Sequence, residues 1–403
     1  MALLPVDQAL EKLLDGAEPK GTEMMPISQL RGRILATDLI SKRTHPPFNA
    51  SAMDGYAIKY KDAAEIGATL KVIGESAAGH GFHGTFEDGE SVRIFTGAPV
   101  PSSADTILIQ ENTEKLKDGL IKVTAPAQPD RHIRLAGVDF SKDDVLLKKY
   151  RELDYSAITL AASMNYAEVE VFQKPLISVL ATGDELVSPG EEPGIDQIIA
   201  SNAFGVMAMC ESTGADVMDL GIAQDKLDVI KASVQKALDS NTDILVTIGG
   251  ASVGDHDLVQ QALTEMGMQL NFWKIAMRPG KPLMYGTLGN MRFIGLPGNP
   301  ASSLVTGSLF LAPLVRKLAG RTITTPITTA KLTVELPEND HRQEYMRAQI
   351  QTDELGERIV TPFKRQDSSL VRVFADANGL LIRPPNAKAA SKGDVCDVIL
   401  FEN

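Results

Sequence analysis

The feature that most limits the possible folds is the order of apolar segments between residues 176 and 324. Short aliphatic and β-branched runs alternate there with segments whose apolar residues recur at helical spacing. This alternation is typical of a parallel sheet whose strands are joined by crossover helices. We predict six strands, at 176–181, 217–220, 243–248, 270–276, 283–285 and 292–296. Four helices are predicted at 202–212, 226–238, 258–266 and 301–318.

The chain before and after this α/β segment has different patterns. Short alternating strands between residues 69 and 125 predict a small β module with a hairpin turn at 117–120. Helices at 6–15 and 154–164 stand on either side of that module. After residue 324 the pattern predicts a C-terminal β-barrel-like domain of five strands, at 330–336, 347–351, 359–362, 380–383 and 395–400. We therefore expect a multidomain α/β plus β protein. Its predicted parts are a discontinuous N-terminal helical domain (1–45 and 140–175), an inserted β module (46–139), an α/β domain (176–324) and a β domain (325–403).

The charge and the cysteines limit the classes of partner and site. The 52 acidic and 40 basic residues give a net charge of −12 at pH 7. Bulk electrostatic binding of nucleic acid or of an anionic membrane needs excess positive charge, so we expect neither. Cys210 and Cys396 are far apart and belong to no Cys-x-x-Cys or Cys/His cluster, which argues against a disulfide framework or a zinc site. With no signal-peptide pattern and no apolar run of about 18 residues, we expect a cytoplasmic protein.

The stretch from Pro46 to Tyr60 carries an aspartate on a stiff loop. Its two prolines oppose helix formation, and Asp54-Gly55 has the chemistry of a turn that precedes a strand. By residue type alone, Asp54 is an ordinary turn residue. The alternative interpretation, a carboxylate presented to a ligand, depends on the polar residues elsewhere in the chain.

Polar residues also follow most of the predicted α/β strands. Ligands bind to such sheets at the carboxyl ends of the strands, where loop amides and helix N-termini converge. Acids, glycines and basic residues should meet there, from the segments 182–185, 221–225, 249–257, 277–282 and 297–300. Carboxylates hold a magnesium ion, whereas backbone amides and Arg or Lys hold phosphate oxygens. The combination predicts metal-assisted phosphate chemistry.

Each of these residues has a simpler interpretation as well. Asp225 and Asp257 are suited to cap the helices that follow them, and Glu185 could be a solvated loop acid. Pro297 to Pro300 could be a turn that enters a helix. The glycine-rich loop fits neither a Walker A motif nor a dinucleotide-binding fingerprint, and the chain has no Gly-x-Ser-x-Gly elbow. The convergence of both kinds of residue is what favours a site.

Six short motifs are spread over nearly the whole chain. They are Ser51-Ala-Met-Asp-Gly-Tyr-Ala57, Thr96-Gly-Ala-Pro-Val-Pro101, Thr182-Gly-Asp-Glu-Leu186, Gly249-Gly-Ala-Ser-Val-Gly254 with Asp257, Arg278-Pro-Gly-Lys-Pro282 and Leu296-Pro-Gly-Asn-Pro300. In this order they resemble the molybdopterin molybdenumtransferases, the MoeA family that includes the C-terminal domain of gephyrin. The resemblance implies an elongated homodimer of four-domain subunits with a molybdopterin-binding α/β domain.

The resemblance also implies a reaction and a set of residues. Members of the family insert molybdenum from molybdate into the dithiolene of adenylylated molybdopterin, with magnesium, and release AMP. Catalytic roles are implied for Asp54, Thr96, Asp139, Glu185, Asp225 and Asp257, of which the metal ligands are Glu185, Asp225 and Asp257. Ligand-binding roles are implied for Gly249, Gly250, Ser252, Gly254, Lys274, Arg278, Lys281, Pro297, Pro300 and Ser368.

The implied partners are a second copy of the chain, whose β module completes the cleft, and molybdopterin adenylyltransferase with other proteins of the cofactor pathway. The chain departs from the family pattern at Val138, where a glutamate is usual, at Arg278, where a lysine is usual, and at Asp367, where a glycine is usual. Asp367 adds a negative charge beside Ser368. Two alternative functions stay open: adenylylation of molybdopterin, which related α/β domains perform, and a scaffold of the gephyrin kind.

Overall fold

The computed structural model describes residues 3–250, 258–323 and 327–401. The chain forms two compact units. The first unit consists of Met1–Glu23, Gly32–Ala36 and Val171–Asn403, and the second of Met24–Arg31 and Thr37–Glu170. The division into four domains stays a prediction. Within the described ranges, every helix is too short or too polar to cross a membrane.

A six-stranded sheet forms the centre of the first unit. Its strands lie in the order Asp216–Ala223, Leu176–Thr182, Ile244–Ile248, Met291–Leu296, Met284–Leu288 and Gln269–Trp273. The first four are parallel, as predicted, but the last two are antiparallel to their neighbours. The prediction of a wholly parallel sheet is therefore wrong at this edge. Only Gly289 and Asn290 join two of the strands, and so short a connection permits only an antiparallel pair.

Helices cover both faces of this sheet. Alternate residues of its buried central strand point to opposite sides: Ile244 and Val246 belong to one apolar core and Leu245 to the other. The helix Leu227–Asp239 buries Ile230 and its neighbours on one stripe. The helical segments of the first unit are Val6–Leu14, Asn202–Ser212, Leu227–Asp239, Leu258–Glu265, Pro300–Thr306, the π-helical Gly307–Leu311, Ala312–Leu318 and Val371–Asp376.

The last strands of the first unit close into a barrel, which confirms the predicted β-barrel-like ending. Gln343–Thr352 pairs with Arg358–Pro362 on one side and with Gly379–Arg383 on the other. Ile327–Leu332 and Val395–Leu400 complete the ring. The short strand Met277–Arg278 of the predicted anion-binding segment pairs with the start of Gln343–Thr352. The unit also contains the short strands Leu186–Val187 and Ile198–Ile199.

The second unit contains the β module. Its sheet has the strand order Thr106–Ile109, Gly55–Ile58, Glu90–Ile94, Thr69–Ser76, Leu120–Val123 and Thr113–Lys115. The predicted hairpin at 117–120 is present, because the last two strands pair antiparallel across it. The helix Tyr155–Ser163 begins after Asp154, whose carboxylate accepts the N–H of Ala157. The strands Thr22–Pro26 and Glu168–Phe172 each contain a point at which the chain passes from one unit to the other. The remaining short strands are Leu39–Ile40, Ala50–Ser51, Ile133–Arg134 and Val145–Leu147. The 3₁₀ helices are Ile27–Gln29, Tyr60–Ala63 and Gln110–Asn112.

Both cysteines are free: Cys210 is buried and Cys396 is partly buried. Cys210 is fully buried in the helix Asn202–Ser212, and burial raises the pKa of its thiol to about 12. Cys396 is half-buried in the barrel, where its thiol donates to the carbonyl of Ala330 at 3.3 Å, and burial raises its pKa to about 11. Both thiols are therefore protonated at neutral pH.

Candidate functional site

In the second unit, Asp54 and Thr96 form a hydrogen-bonded pair. Oδ1 of Asp54 accepts the backbone N–H and the hydroxyl of Thr96, each at 2.8 Å. These two hydrogen bonds, with a smaller contribution from Arg93, lower the pKa of Asp54 from its ordinary value. The carboxylate is thereby held in its ionised form. Two of the six sequence motifs meet at this pair.

Backbone contacts fix the two loops that carry the pair. The N–H of Ser51 donates to the carbonyl of Ala98 at 2.9 Å, and the N–H of Gly97 donates to the carbonyl of Ser51 at 2.8 Å. The glycine that follows the aspartate has no room for a side chain: a Cβ at Gly55 would lie 2.1 Å from the carbonyl oxygen of Leu108. The aspartate is thus held on a loop that is tied to its neighbour at several points.

Asp139 lies in the second unit but outside this pair. Its side chain is exposed, and its backbone N–H donates to the carbonyl of His45 at 3.2 Å. Among the described residues, no hydrogen bond or ion pair joins its carboxylate to Asp54 or Thr96. The catalytic role of Asp139 stays a prediction.

The first unit has a cleft of about 950 Å³ at the carboxyl ends of its parallel strands. The walls include apolar side chains, among them Leu186, Ile198 and Val259. The cleft brings together six residues predicted from the sequence: Glu185, Asp225, Gly249, Gly250, Pro297 and Pro300. Apolar walls with a few polar groups are typical of ligand sites.

The turn after the strand Ile244–Ile248 can be made only with glycine. Gly249 and Gly250 have φ values of +91° and +62°, in the left-handed region that side chains disfavour. A Cβ on Gly249 would lie 2.5 Å from the carbonyl oxygen of Thr182. The turn therefore packs directly against the end of the neighbouring strand. Ser252, Gly254 and Asp257, which continue this motif, lie outside the described residues.

A group of carboxylates lies at the same cleft. Burial, then the negative charges of Asp184 and Glu185, raise the pKa of Asp225. Asp184 also accepts the backbone N–H of Asp225 at 3.1 Å, which makes it a part of the cluster that the sequence did not single out. Within the described part of the chain, no Lys or Arg forms an ion pair with any of the three. Oxygen donors with uncompensated negative charge suit a hard cation such as Mg²⁺.

A complete metal site is not formed by these residues. Over the ranges that the structure describes, no group of three or more His, Cys, Asp or Glu side chains is arranged to hold a metal ion. The predicted set included Asp257 as its third member. Glu185 and Asp225 therefore fit a magnesium ion in chemistry and charge, and the coordination by three carboxylates stays a prediction.

The three predicted basic contacts differ from one another. Lys274 has φ +93°, and its Nζ lies 5.3 Å from the centroid of the Trp273 ring. Lys281 is exposed. Arg278 is already paired, since its Nη2 lies 2.7 Å from Glu344 and its Nη1 lies 3.6 Å from Asp340. The hydrogen bond and charge of Glu344 raise the pKa of Arg278. Much of its charge is thus compensated inside the protein.

Arg347 is a cation that the sequence analysis did not identify. It lies in the barrel strand Gln343–Thr352, is completely buried, and borders a cavity of about 250 Å³ that Arg278 also lines. Its Nη2 donates to the carbonyl of Asp367 at 3.0 Å, while Nε and Nη1 have no partner among the described residues. Two unpaired donors on a buried guanidinium are costly unless an anion occupies the space beside them.

Ser368 connects this cavity region with the cleft. Its hydroxyl accepts the side-chain N–H of Asn299 at 2.9 Å, and its carbonyl accepts the N–H of Ala301 at the same distance. Asn299 itself lines the cleft. The carboxylate of Asp367 accepts the N–H and the hydroxyl of Ser369, at 2.8 and 2.6 Å, which lower its pKa. Asp367, one of the departures from the family pattern, therefore stabilises its own turn.

Several relatives match this chain over nearly its whole length. It is 35% identical over 407 residues to the molybdopterin molybdenumtransferase of Haemophilus influenzae, and the match covers 100% of this chain and 99% of the relative. The chain belongs to the MoeA family of molybdopterin molybdenumtransferases. A second MoeA relative, the molybdopterin molybdenumtransferase of Bacillus subtilis, is 31% identical, with 99% of this chain and 94% of the relative covered.

Family models divide this MoeA chain into three matched regions. Residues 4–165 match the MoeA N-terminal region, 178–317 a probable molybdopterin binding domain, and 329–401 the MoeA C-terminal region. The crystal structure of the molybdopterin biosynthesis MoeA protein from Pyrococcus horikoshii superposes with a TM-score of 0.86 at 30% identity, and covers 100% of both chains. Fold and family are thus those that the six motifs predicted, and the chain is a member of an enzyme family.

Proposed function

We propose that this MoeA chain transfers molybdenum from molybdate to the dithiolene of adenylylated molybdopterin, in a magnesium-dependent reaction that releases AMP. The observation that carries the proposal is the cleft of about 950 Å³, in which uncompensated carboxylates stand beside an amide-presenting glycine turn. A nucleotide-linked substrate carries phosphates, and these need both a cation and N–H donors. Glu185 and Asp225 supply carboxylates, and Gly250 is proposed to supply an N–H donor, since the N–H of Gly249 already donates to the carbonyl of Leu296 at 3.3 Å.

Glu185 and Asp225 are proposed to hold the magnesium ion, with Asp257 as a third ligand. The bound ion would neutralise charge on the phosphate oxygens of the substrate. Asp184 contributes by accepting the N–H of Asp225, which orients the segment that carries this carboxylate. Burial, and after it repulsion from Asp184 and Glu185, raises the pKa of Asp225, and a bound cation would offset that repulsion.

The cavity beside Arg347 is proposed to receive molybdate. Molybdate is a small oxyanion, and Arg347, two of whose donors have no partner among the described residues, lines a space of about 250 Å³ that Arg278 and Gln366 also border. Gln366 fixes the strand there, because its side chain exchanges hydrogen bonds with the backbone of Arg347, each at 3.0 Å. Ser368 and Asn299 link this cavity to the cleft. Lys274 and Lys281 are proposed as additional anion contacts.

The pair Asp54 and Thr96 is proposed to act on the bound substrate as an ionised carboxylate of fixed orientation. The predicted roles of Asp139, of a homodimer with a composite site, and of molybdopterin adenylyltransferase as a partner are kept as part of the proposal. They follow from the family resemblance and add no requirement to the test below.

The test is to incubate the purified protein with adenylylated molybdopterin, molybdate and Mg²⁺, and to measure released AMP and active molybdenum cofactor. We expect both products, and neither when molybdate or Mg²⁺ is left out. Absence of both products under the complete conditions would overturn the proposal. AMP transfer from ATP to free molybdopterin would instead establish the adenylylation reaction.

A pair of arginine variants tests the molybdate cavity. Arg347→Met should raise the KM for molybdate by about 10- to 100-fold, the equivalent of one or two charge-assisted hydrogen bonds. It should leave Tm unchanged or higher, because it removes a buried charge with unpaired donors. The matched control is Arg383→Met: Arg383 is buried in the same barrel, but its Nη2 donates to the carbonyls of Pro337 and Lys388 at 2.9 and 2.7 Å. That variant should lower Tm and leave the KM unchanged.

A further inference from the structure

Arg93 stands behind the Asp54 turn, between two aromatic rings. It lies in the strand Glu90–Ile94, directly opposite Tyr56 of the neighbouring strand. Its guanidinium carbon is 5.2 Å from the centroid of the Tyr56 ring and 4.7 Å from that of Phe95. A planar cation over two aromatic faces is held in one orientation by cation–π attraction.

The two ends of this guanidinium reach both sides of the turn. Nη1 of Arg93 donates to the carbonyl of Gly55 at 2.9 Å, and Nη2 donates to Oε1 of Gln110 at 2.8 Å. The backbone N–H of Gln110 in turn donates to the carbonyl of Asp54 at 3.1 Å. The arginine therefore binds the carbonyl of Gly55 directly, and it is connected to the carbonyl of Asp54 through Gln110.

The partners of Arg93 are all uncharged. In the described part of the chain it forms no ion pair with an Asp or Glu, in contrast to Lys59, directly after the strand Gly55–Ile58, whose Nζ lies 2.8 Å from Asp88. Its positive charge is therefore not cancelled by a close acid, and it acts on the carboxylate of Asp54. Neither the motif analysis nor the family comparison assigns Arg93 or Gln110 a role.

We propose that Arg93, together with Gln110, is a positioning residue. It fixes the turn at Asp54 so that the carboxylate keeps its two hydrogen bonds from Thr96. The inference rests on the proposed role of Asp54 in molybdenum transfer. Arg93 makes no direct contact with substrate in this proposal, because both of its hydrogen-bonding ends are used within the module. Its effect passes through the orientation of a neighbouring group, as outer-shell partners of functional residues commonly do.

The variants Arg93→Met, Arg93→Lys and Gln110→Ala test the proposal. Arg93→Met should lower the rate of AMP release by about tenfold, within the range known for outer-shell partners. Arg93→Lys should restore part of the rate, since an ammonium keeps the charge but not the fork that reaches both partners. Gln110→Ala should also lower the rate of AMP release, but by a smaller factor. Lys59→Met, which removes a cation elsewhere in the β module, is the matched control and should keep the wild-type rate.

Two readouts separate positioning from a general effect on folding. In an Asp54→Asn background, Arg93→Met should lower the residual rate no further, because the group through which it acts is gone. In ¹⁵N-labelled protein, the Thr96 amide resonance, whose N–H binds Asp54, should move in Arg93→Met and Gln110→Ala and stay in place in Lys59→Met. The resonance is measured without substrate.

These outcomes distinguish this inference from the proposed function. If the wild-type protein releases no AMP, the proposed function fails and the Thr96 resonance alone decides whether Arg93 positions Asp54. If the wild type is active but the Arg93 and Gln110 variants match it in rate and resonance, the positioning role is overturned and the function stands. The positioning role would also be overturned if Arg93→Met lowered the rate by the same factor in the wild-type and the Asp54→Asn backgrounds. Should Arg93→Met fail to fold, the variant at exposed Gln110 gives the decision.

Discussion

Asp54 in the second unit and Asp225 in the first are both carboxylates on loops, yet their surroundings shift them in opposite directions. Asp54 accepts two hydrogen bonds from Thr96, which lower its pKa. Asp225 is partly desolvated and faces Asp184 and Glu185, which raise its pKa. One carboxylate has its donors supplied by the protein, and the other faces two like charges and forms no ion pair among the described residues.

The difference separates two uses of the same side chain. A carboxylate whose donors are built in is stable as an anion and can keep one orientation while a substrate binds. A carboxylate crowded by other acids gains stability only when a cation arrives. We therefore assign Asp225 to metal binding and Asp54 to the substrate itself, and the following experiments test that division.

The largest expected effect is on the rate of molybdenum transfer. Asp225→Asn and Asp54→Asn should each lower the rate of AMP release by about 100-fold or more, a typical loss when one preorganised electrostatic group is removed. Asp88→Asn is the control, because Asp88 is an exposed acid that binds only Lys59 and Lys61 among the described residues. A wild-type rate in Asp225→Asn would contradict a role in metal binding; the simpler role of helix cap is not seen either, because the helix that follows begins after Lys226 and has no side-chain cap.

The next effect is on the magnesium requirement. Asp184→Asn keeps an oxygen that can accept the N–H of Asp225 but removes a neighbouring charge, so the Mg²⁺ concentration for half-maximal rate should rise by about tenfold. Asp54→Asn should leave that concentration unchanged, measured on its residual rate. A similar rise in both variants would contradict the division between metal and substrate carboxylates.

Removal of a single hydroxyl tests the donors of Asp54. Thr96→Val keeps the backbone N–H that Asp54 accepts but loses the second hydrogen bond of 2.8 Å. We expect a rate loss of about tenfold, which corresponds to one hydrogen bond to a charged group. Thr96→Ser keeps the hydroxyl and should stay close to the wild-type rate. A wild-type rate in Thr96→Val would show that the hydroxyl is not needed, and an equal loss in both variants would show that the methyl group matters as well as the hydroxyl.

The smallest effect is on stability, and its sign should differ between the two residues. The folded-state pKa of Asp54 lies below its ordinary value of 3.8, so its ionised form stabilises the fold above that pH and this contribution is lost as the pH falls below it. The folded-state pKa of Asp225 lies above 3.8, so stability decreases as the pH rises from 3.8 through the folded-state value. At pH 7, Asp54→Asn should therefore lower Tm and Asp225→Asn should raise it. Thermal melts of the two variants beside the wild type measure this; shifts of the same sign would break the comparison.

Periodicity and turn chemistry were enough to predict most of the first unit. The predicted helix at 202–212 matches Asn202–Ser212, and the strands at 176–181 and 395–400 lie within a residue of those observed. Such segments are predictable because burial on one or both faces leaves a period in the sequence. The sequence does carry a signal for the antiparallel edge, the two turn residues Gly289 and Asn290 between two apolar runs, which the overall alternation of strands and helices obscures.

The candidate site could be predicted only in part. Glu185 and Asp225 could be predicted because each follows a parallel strand, and residues that follow parallel strands lie at the same edge of the sheet. Arg347 was missed because the predicted strand began at 347, whereas it begins at Gln343; with the correct start, Tyr345 and Arg347 share one buried face of the strand, opposite the face that supplies Ala348 to the barrel core. An arginine on the same strand face as a buried tyrosine is the signal that could have revealed it. Asp184 and Arg93 act through contacts with residues far away in sequence or in another strand, which a single sequence does not record.

The state of the two thiols has a consequence for chemoselectivity. Molybdenum binds sulfur readily, and the proposed reaction delivers it to two sulfurs of a pterin. Thiolates are good ligands for such metals and thiols are poor ones. Because burial keeps Cys210 and Cys396 protonated, with pKa values of about 12 and 11, neither cysteine is a thiolate that competes for the metal. In the proposed reaction, the dithiolene of the pterin is then the thiolate ligand that the metal meets.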